Sequence, residues 1–131
     1  AFSDYASQAN DDLLLITQIE HTEGADNVEA IAEVDGIDML FIGPNDLAGS
    51  MGLLERLEAP EVRSLIEDLE RRIANSGRWM GTITGPGRDV TTLTNSGYRF
   101  VAGPNDIALL ASTLRHEAAL WREQSADFGG S

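Results

Sequence analysis

Apolar residues fall along the chain in short runs separated by stretches of helical spacing. Leu13-Leu14-Leu15-Ile16-Thr17-Gln18-Ile19-Glu20 is an apolar run ending in polar residues, which predicts a buried strand. Val28, Ile31 and Ala32 then recur at helical intervals between Gly24 and Val34, with Asp26 or Asn27 near the start. Met39-Leu40-Phe41-Ile42 predicts a second buried strand, stopped by Gly43-Pro44. Pro60 suits the first turn of a helix, where its missing N–H costs nothing. That helix is predicted to Asn75, with Val62, Leu65, Ile66, Leu69 and Ile73 on one face and Gly77 as its cap.

Trp79 to Thr84 predicts a third strand and Gly85-Pro86-Gly87 its turn, followed by a threonine-rich helix from Asp89 to Asn95 ended by Gly97. Phe100-Val101-Ala102 is the fourth strand. A last helix from Asn105 to Gln124 carries Ile107, Leu110, Leu114 and Trp121 in a stripe, read as facing the core, and residues 125–131 are expected to fray. Four strand–helix units in succession mean a parallel sheet with crossover helices, and with no linker the whole of 1–131 reads as one unit.

The segment from Phe41 to Ala48 echoes that from Val101 to Ala108, each centred on Gly-Pro-Asn-Asp. A repeat two units apart fits a barrel with quarter-barrel symmetry, or one turn solution used twice. Four units are half of an eight-stranded barrel of about 250 residues. Either the sheet is open and doubly wound, or the chain is a piece of a larger barrel.

Composition narrows the chemistry. At 42% hydrophobic residues the chain is globular in character, and it has no cysteine, which excludes disulfides, thiolate metal sites and a cysteine nucleophile. It has 22 acidic against 9 basic side chains and a formal net charge of -13, so nucleic acids and anionic membranes are not expected partners. No apolar run reaches membrane-spanning length and residues 1–12 lack the pattern of a signal peptide, so a cytoplasmic location is expected. Every basic residue is arginine, which excludes a lysine Schiff base within the chain. The absence of lysine beside many carboxylates fits either a high-salt proteome or a GC-rich genome.

In parallel α/β architectures the carboxyl ends of the strands carry the site. The polar residues predicted there are Gln18, Glu20, Asn45, Asp46, Thr82, Thr84, Asn105 and Asp106. Glu20 and Asp46 come from adjacent strands, about 4.8 Å apart in the pairing direction. Carboxylates that close either repel or share a cation, and oxygen ligands suit a hard divalent ion such as Mg²⁺ or Mn²⁺. The plainer alternatives are that Asp46 caps the helix it precedes and that Glu20 is a solvated strand end. Pro44 has no N–H, so free backbone donors begin at Asn45 and Asp46, where they can hold a carboxylate. The alternative there is a tight turn without a ligand.

Gln18-Ile19-Glu20, Asp26 to Ile31, Gly36-Ile37-Asp38, and Phe41 to Ala48 with Ser50 and Gly52 together resemble the HpcH/HpaI aldolases, the class II metal-dependent pyruvate aldolases. The resemblance continues through Pro60-Glu61-Val62, Arg71-Arg72-Ile73, Gly77, Gly81, Gly97 and Phe100-Val101-Ala102, covering about residues 10 to 122. It implies a (β/α)8 barrel of which these are strands five to eight, assembled as hexamers that exchange the last helix. It implies a lyase that makes or breaks a C–C bond between pyruvate and an aldehyde through an enolate, with a divalent metal (Mg²⁺, Mn²⁺ or Co²⁺) as Lewis acid. On that resemblance Glu20 and Asp46 are the metal ligands. The backbone at Asn45 and Asp46 is the pyruvate-carboxylate cradle, Gln18 lines the pocket, and Ile83 packs near the pyruvate methyl group.

The resemblance also has departures. The family's catalytic histidine, its associated aspartate and its oxo-group arginine belong to the first half of the barrel. Neither His21 nor His116 matches that histidine, so no catalytic base is identifiable in this chain and weak or absent activity on its own is expected. His116 is expected on the surface of the last helix. Gly103-Pro104-Asn105-Asp106 departs from the family's last-strand ending, leaving a role for Asp106 open. The alternatives are a non-catalytic acidic module for metal binding or assembly, a citrate lyase-type or macrophomate synthase-type enzyme, and a nucleotide-binding domain. The last lacks any Gly-rich phosphate loop.

Overall fold

The computed structural model describes residues 8–126, with four strands and six helices. The strands are β1 (Ile16–Ile19), β2 (Met39–Ile42), β3 (Trp79–Ile83) and β4 (Phe100–Ala102). They form one parallel sheet in the order β1-β2-β3-β4. The helices are α1 (Thr22–Asp26), α2 (Val28–Ala32), α3 (Pro44–Ser50), α4 (Pro60–Ser76), α5 (Val90–Asn95) and α6 (Asp106–Ala126). Sequential strands pair in sequential order, so the sheet has no switch point and is not doubly wound.

Side chains alternate between the two faces of each strand. One face, with Ile19, Leu40, Ile42, Met80 and Thr82, is buried beneath the helices. Against it α4 packs Val62, Ile66, Leu69 and Ile73, the stripe expected from the sequence, while Leu65 is only half-buried. Ala59 precedes the helix, Pro60 occupies its first turn, and Gly77 closes it at φ 77°, a left-handed conformation glycine adopts without strain. Arg72 on α4 reaches Glu29 on α2 and the backbone carbonyl of Asp26. Arg78 donates to the carbonyls of Ala32 and Val34, meeting the bare carbonyl end of α2. The expected helix from Gly24 to Val34 is instead two short helices that break at Asn27.

The opposite face carries Ile16, Gln18, Met39, Phe41, Trp79, Gly81, Ile83, Phe100 and Ala102, with Glu20 and Gly43 just beyond the strand ends. Among the described residues no helix lies over this face. The register stacks it in levels: Ile16 beside Met39 and Trp79, then Gln18 beside Phe41, Gly81 and Phe100. Phe41 and Phe100 meet edge to face across Gly81, with ring centroids 6.2 Å apart.

Two further expectations are corrected. Leu13, Leu14 and Leu15 lie outside β1 and are exposed, Leu13 by 68%, so the first strand is shorter than its apolar run and its amino end is open. Among the described residues β1 is an edge strand with no partner on its outer side. The stripe on α6 does not face the core, with Ile107, Leu110, Leu114 and Trp121 all 60% exposed or more. Of the tail expected to fray, Ser125 and Ala126 continue α6, and residues 127–131 lie outside the described residues. No helix among the described residues is long and apolar enough to cross a membrane.

Candidate active site

β1 ends at Ile19, so Gln18 and Glu20 share the helix-free face of the sheet. The neighbouring strand is fastened there by the Gly43 N–H, which donates to the Ile19 carbonyl at 3.0 Å. The ideal Cβ position of Gly43 lies 2.8 Å from Gln18 Nε2 and 3.2 Å from Glu20 Cβ. Gln18 and Glu20 therefore lean over the backbone just past the carboxyl end of β2, in space that any side chain at position 43 would fill.

Asp46 lies in the first turn of α3, which starts at Pro44 with Gly43 as its cap. Asp46 is thus inside the helix and makes no capping bond, which removes the capping alternative. The first intrahelical donor is Leu47, bonded to the Gly43 carbonyl at 3.0 Å, so the N–H groups of Asn45 and Asp46 have no partner within the helix. Asn45 and Asp46 are exposed, while Pro44, Leu47 and Ala48 are buried and fix the helix against the core.

Ser50 joins the two halves of this arrangement. Its Oγ donates to the Leu47 carbonyl at 2.7 Å and accepts from the Thr22 N–H at 3.2 Å, tying the turn after Glu20 to the helix that carries Asp46. Nothing in residue type alone singled out Ser50 or Gly43 for these roles, because both act through backbone contacts across 24 to 28 positions. Among the described residues no three His, Asp or Glu side chains gather closely enough to hold a metal ion alone. Any hard cation held by fewer protein carboxylates than that completes its shell with water and ligand oxygens.

Ile83 ends β3 on the same sheet face as Gln18. Thr82 is corrected out of the site: it is fully buried on the helix side, its hydroxyl donating to the Ile42 carbonyl at 3.0 Å. Thr84, Ile83 and Asn45 border a cavity of about 520 Å³ that runs between α4 and α5. Its far wall holds Glu70 and Arg88, joined to Tyr98. The Tyr98 phenol is pushed above its ordinary range by burial and by the Glu70 carboxylate.

The second Gly-Pro-Asn-Asp departs from the first. Asn105 Oδ1 accepts from the Ala108 N–H at 2.7 Å as a helix cap, and Asp106 Oδ1 accepts from its neighbour Ile107. These residues face away from Glu20 in role: they start α6. His21 Nδ1 accepts from the Glu23 N–H and caps α1, and His116 is exposed on α6 as expected.

Residues 3–113 match the family model described as HpcH/HpaI aldolase/citrate lyase. The chain is 42% identical over 127 residues to a hydroxypyruvate/pyruvate aldolase of Cupriavidus necator, covering 97% of this chain and 47% of that enzyme. It is 37% identical over 126 residues to a 4-hydroxy-2-oxovalerate aldolase of Novosphingobium aromaticivorans, covering 96% and 48%. The solved structure of an HpcH/HpaI aldolase/citrate lyase family protein from Burkholderia cenocepacia superposes with a TM-score of 0.78 at 31% identity, covering 91% of this chain and 46% of that one. The chain therefore spans about half the length of the relatives it matches, and its parallel β/α units form half of a (β/α)8 barrel.

Proposed function

Because this chain belongs to the HpcH/HpaI aldolase/citrate lyase family, we propose that it forms the half of an aldolase barrel that holds a divalent metal and pyruvate. The reaction is the making or breaking of a C–C bond between pyruvate and an aldehyde. The observation that carries this reading is the crossing of Gln18 and Glu20 over Gly43, beside the open N–H groups of Asn45 and Asp46.

Glu20 and Asp46 are the ligands for Mg²⁺ or Mn²⁺, with Co²⁺ a third candidate. When bound, such an ion supplies Lewis-acid polarisation to a 2-oxo acid. The N–H groups of Asn45 and Asp46 donate to the pyruvate carboxylate, Gln18 lines the polar side of the pocket, and Ile83 packs near the methyl group. Proton transfer at that methyl carbon needs a base. His21 is engaged in capping α1 and His116 lies on α6, so neither stands ready as that base, and the chain alone is expected to be weakly active or inactive.

The exposed stripe on α6 supports assembly with further copies, as in the helix-exchanged hexamers that the family resemblance implies. A citrate lyase-type or macrophomate synthase-type reaction on the same scaffold is the alternative, and substrate choice separates it from an aldolase.

Calorimetric titration of Mn²⁺ into this chain, with and without pyruvate, tests the reading. The expected result is binding that tightens with pyruvate and is abolished by Glu20→Ala and by Asp46→Ala. Affinity unchanged in both variants overturns the assignment of the ligands.

A further inference from the structure

We propose that Gly43 is a positioning residue whose missing side chain sets the Gln18 amide in place for the 2-oxo acid; this rests on the pyruvate-binding reading above. The geometry ranks the consequences of adding one methyl group. The position it would take is 2.8 Å from Gln18 Nε2, closer than carbon and nitrogen can stand, so the amide must leave. Nε2 is the far end of a flexible side chain, and Gln18 is exposed, so it can swing away at little cost to the fold. Glu20 is met at its Cβ, at 3.2 Å, and needs to give by only a few tenths of an ångström. The backbone at position 43 has φ -98° and ψ 89°, which an alanine can adopt. Substitution therefore displaces the amide first, the carboxylate slightly and the fold least.

The binding consequence follows from where Gln18 sits. Its amide lies beside the backbone of Gly43, which caps α3 and its open N–H groups. Moved off Gly43, it no longer presents its donor and acceptor to a ligand there. Groups that orient a site in this indirect way are worth on the order of tenfold in affinity.

The test is a double-mutant cycle read by calorimetry, titrating pyruvate into the Mn²⁺-saturated chain. Gly43→Ala and Gln18→Ala are each expected to weaken pyruvate about tenfold. The double variant should be no weaker than either alone, because both act on one amide, and the Mn²⁺ affinity and thermal midpoint of Gly43→Ala should stay close to the parent's. Pyruvate affinity unchanged in Gly43→Ala, or losses that multiply in the double variant, overturns the proposal. Unchanged affinity in Gln18→Ala overturns it too, whether or not the glycine variant folds. A parent chain that binds neither Mn²⁺ nor pyruvate removes the reading beneath it instead.

Discussion

Arg72 holds Glu29 with two parallel bonds, Nε to Oε1 at 2.6 Å and Nη2 to Oε2 at 2.5 Å, clamping α2 onto α4. The hydrogen bonds from Arg72 lower the Glu29 carboxyl from an ordinary 4.5 to about 2. Asp89 is lowered as well, through the Thr92 N–H that it accepts at the start of α5. A carboxyl depressed in the folded state binds fewer protons than in the unfolded chain. Its stabilisation is complete above the unfolded value and is lost as pH falls through the folded one. Urea unfolding of the parent should therefore weaken between pH 4.5 and about 2, and Glu29→Gln should show a shallower loss over that window. Parallel pH profiles would mean that the clamp contributes nothing.

Tyr98 should be costly to truncate. Its hydroxyl donates to Glu70 at 2.7 Å and accepts from Arg88 at 2.9 Å, while Arg88 Nε is buried without a partner. Tyr98→Phe removes both bonds and leaves Arg88 and Glu70 less well satisfied. A loss of about 1–2 kcal/mol is expected from urea denaturation.

Gly81 should resist substitution for steric reasons alone. A Cβ there would stand 2.8 Å from Met39 Sδ and 2.9 Å from Phe41 Cδ2, under the Phe41–Phe100 pair. Unlike the exposed amide over Gly43, the Phe41 ring is half-buried and packed edge to face on Phe100. Gly81→Ala is expected to lower stability by about 1–3 kcal/mol, measured by thermal or urea unfolding.

The stripe on α6 predicts a change in assembly without a change in folding. Leu110 and Leu114 are exposed and absent from the hydrophobic core. The variant Leu110→Glu with Leu114→Glu should sediment as a smaller species than the parent and unfold at nearly the same midpoint. A lower midpoint at unchanged mass would place these side chains in the fold after all.

Much of the fold was legible in the sequence, and the two failures of burial share one physical cause. Met39–Ile42 and Phe100–Ala102 are strands with the bounds read from their apolar runs, and α4 runs one residue beyond its expected end. Periodicity tells which residues share a face, not what that face meets. Leu13 to Leu15 and the α6 stripe are apolar yet exposed, with no surface among the described residues packed over them. The repeated Gly-Pro-Asn-Asp fails differently. The first copy enters its helix at Pro44 because Pro44, Leu47 and Ala48 are buried, whereas the second, exposed throughout, starts its helix two residues later with Asn105 as cap. At the candidate site residue type pointed to Glu20 and Asp46. The notch at Gly43 and the tie through Ser50 were illegible, since each depends on contacts between distant segments.

The alternation along the strands divides the labour of the chain by parity. Ile19, Leu40, Ile42, Met80 and Thr82 point into a core completed by the chain's own helices. The residues between them, Gln18, Phe41, Gly81 and Phe100, point to the side no helix covers. Mutational tolerance should therefore flip at every step along a strand. Replacements at one set of positions should be felt by any unfolding experiment on the chain. Those at the other set, Gly81 with its crowded Cβ position excepted, should surface chiefly when a ligand or a second half-barrel is brought to that face.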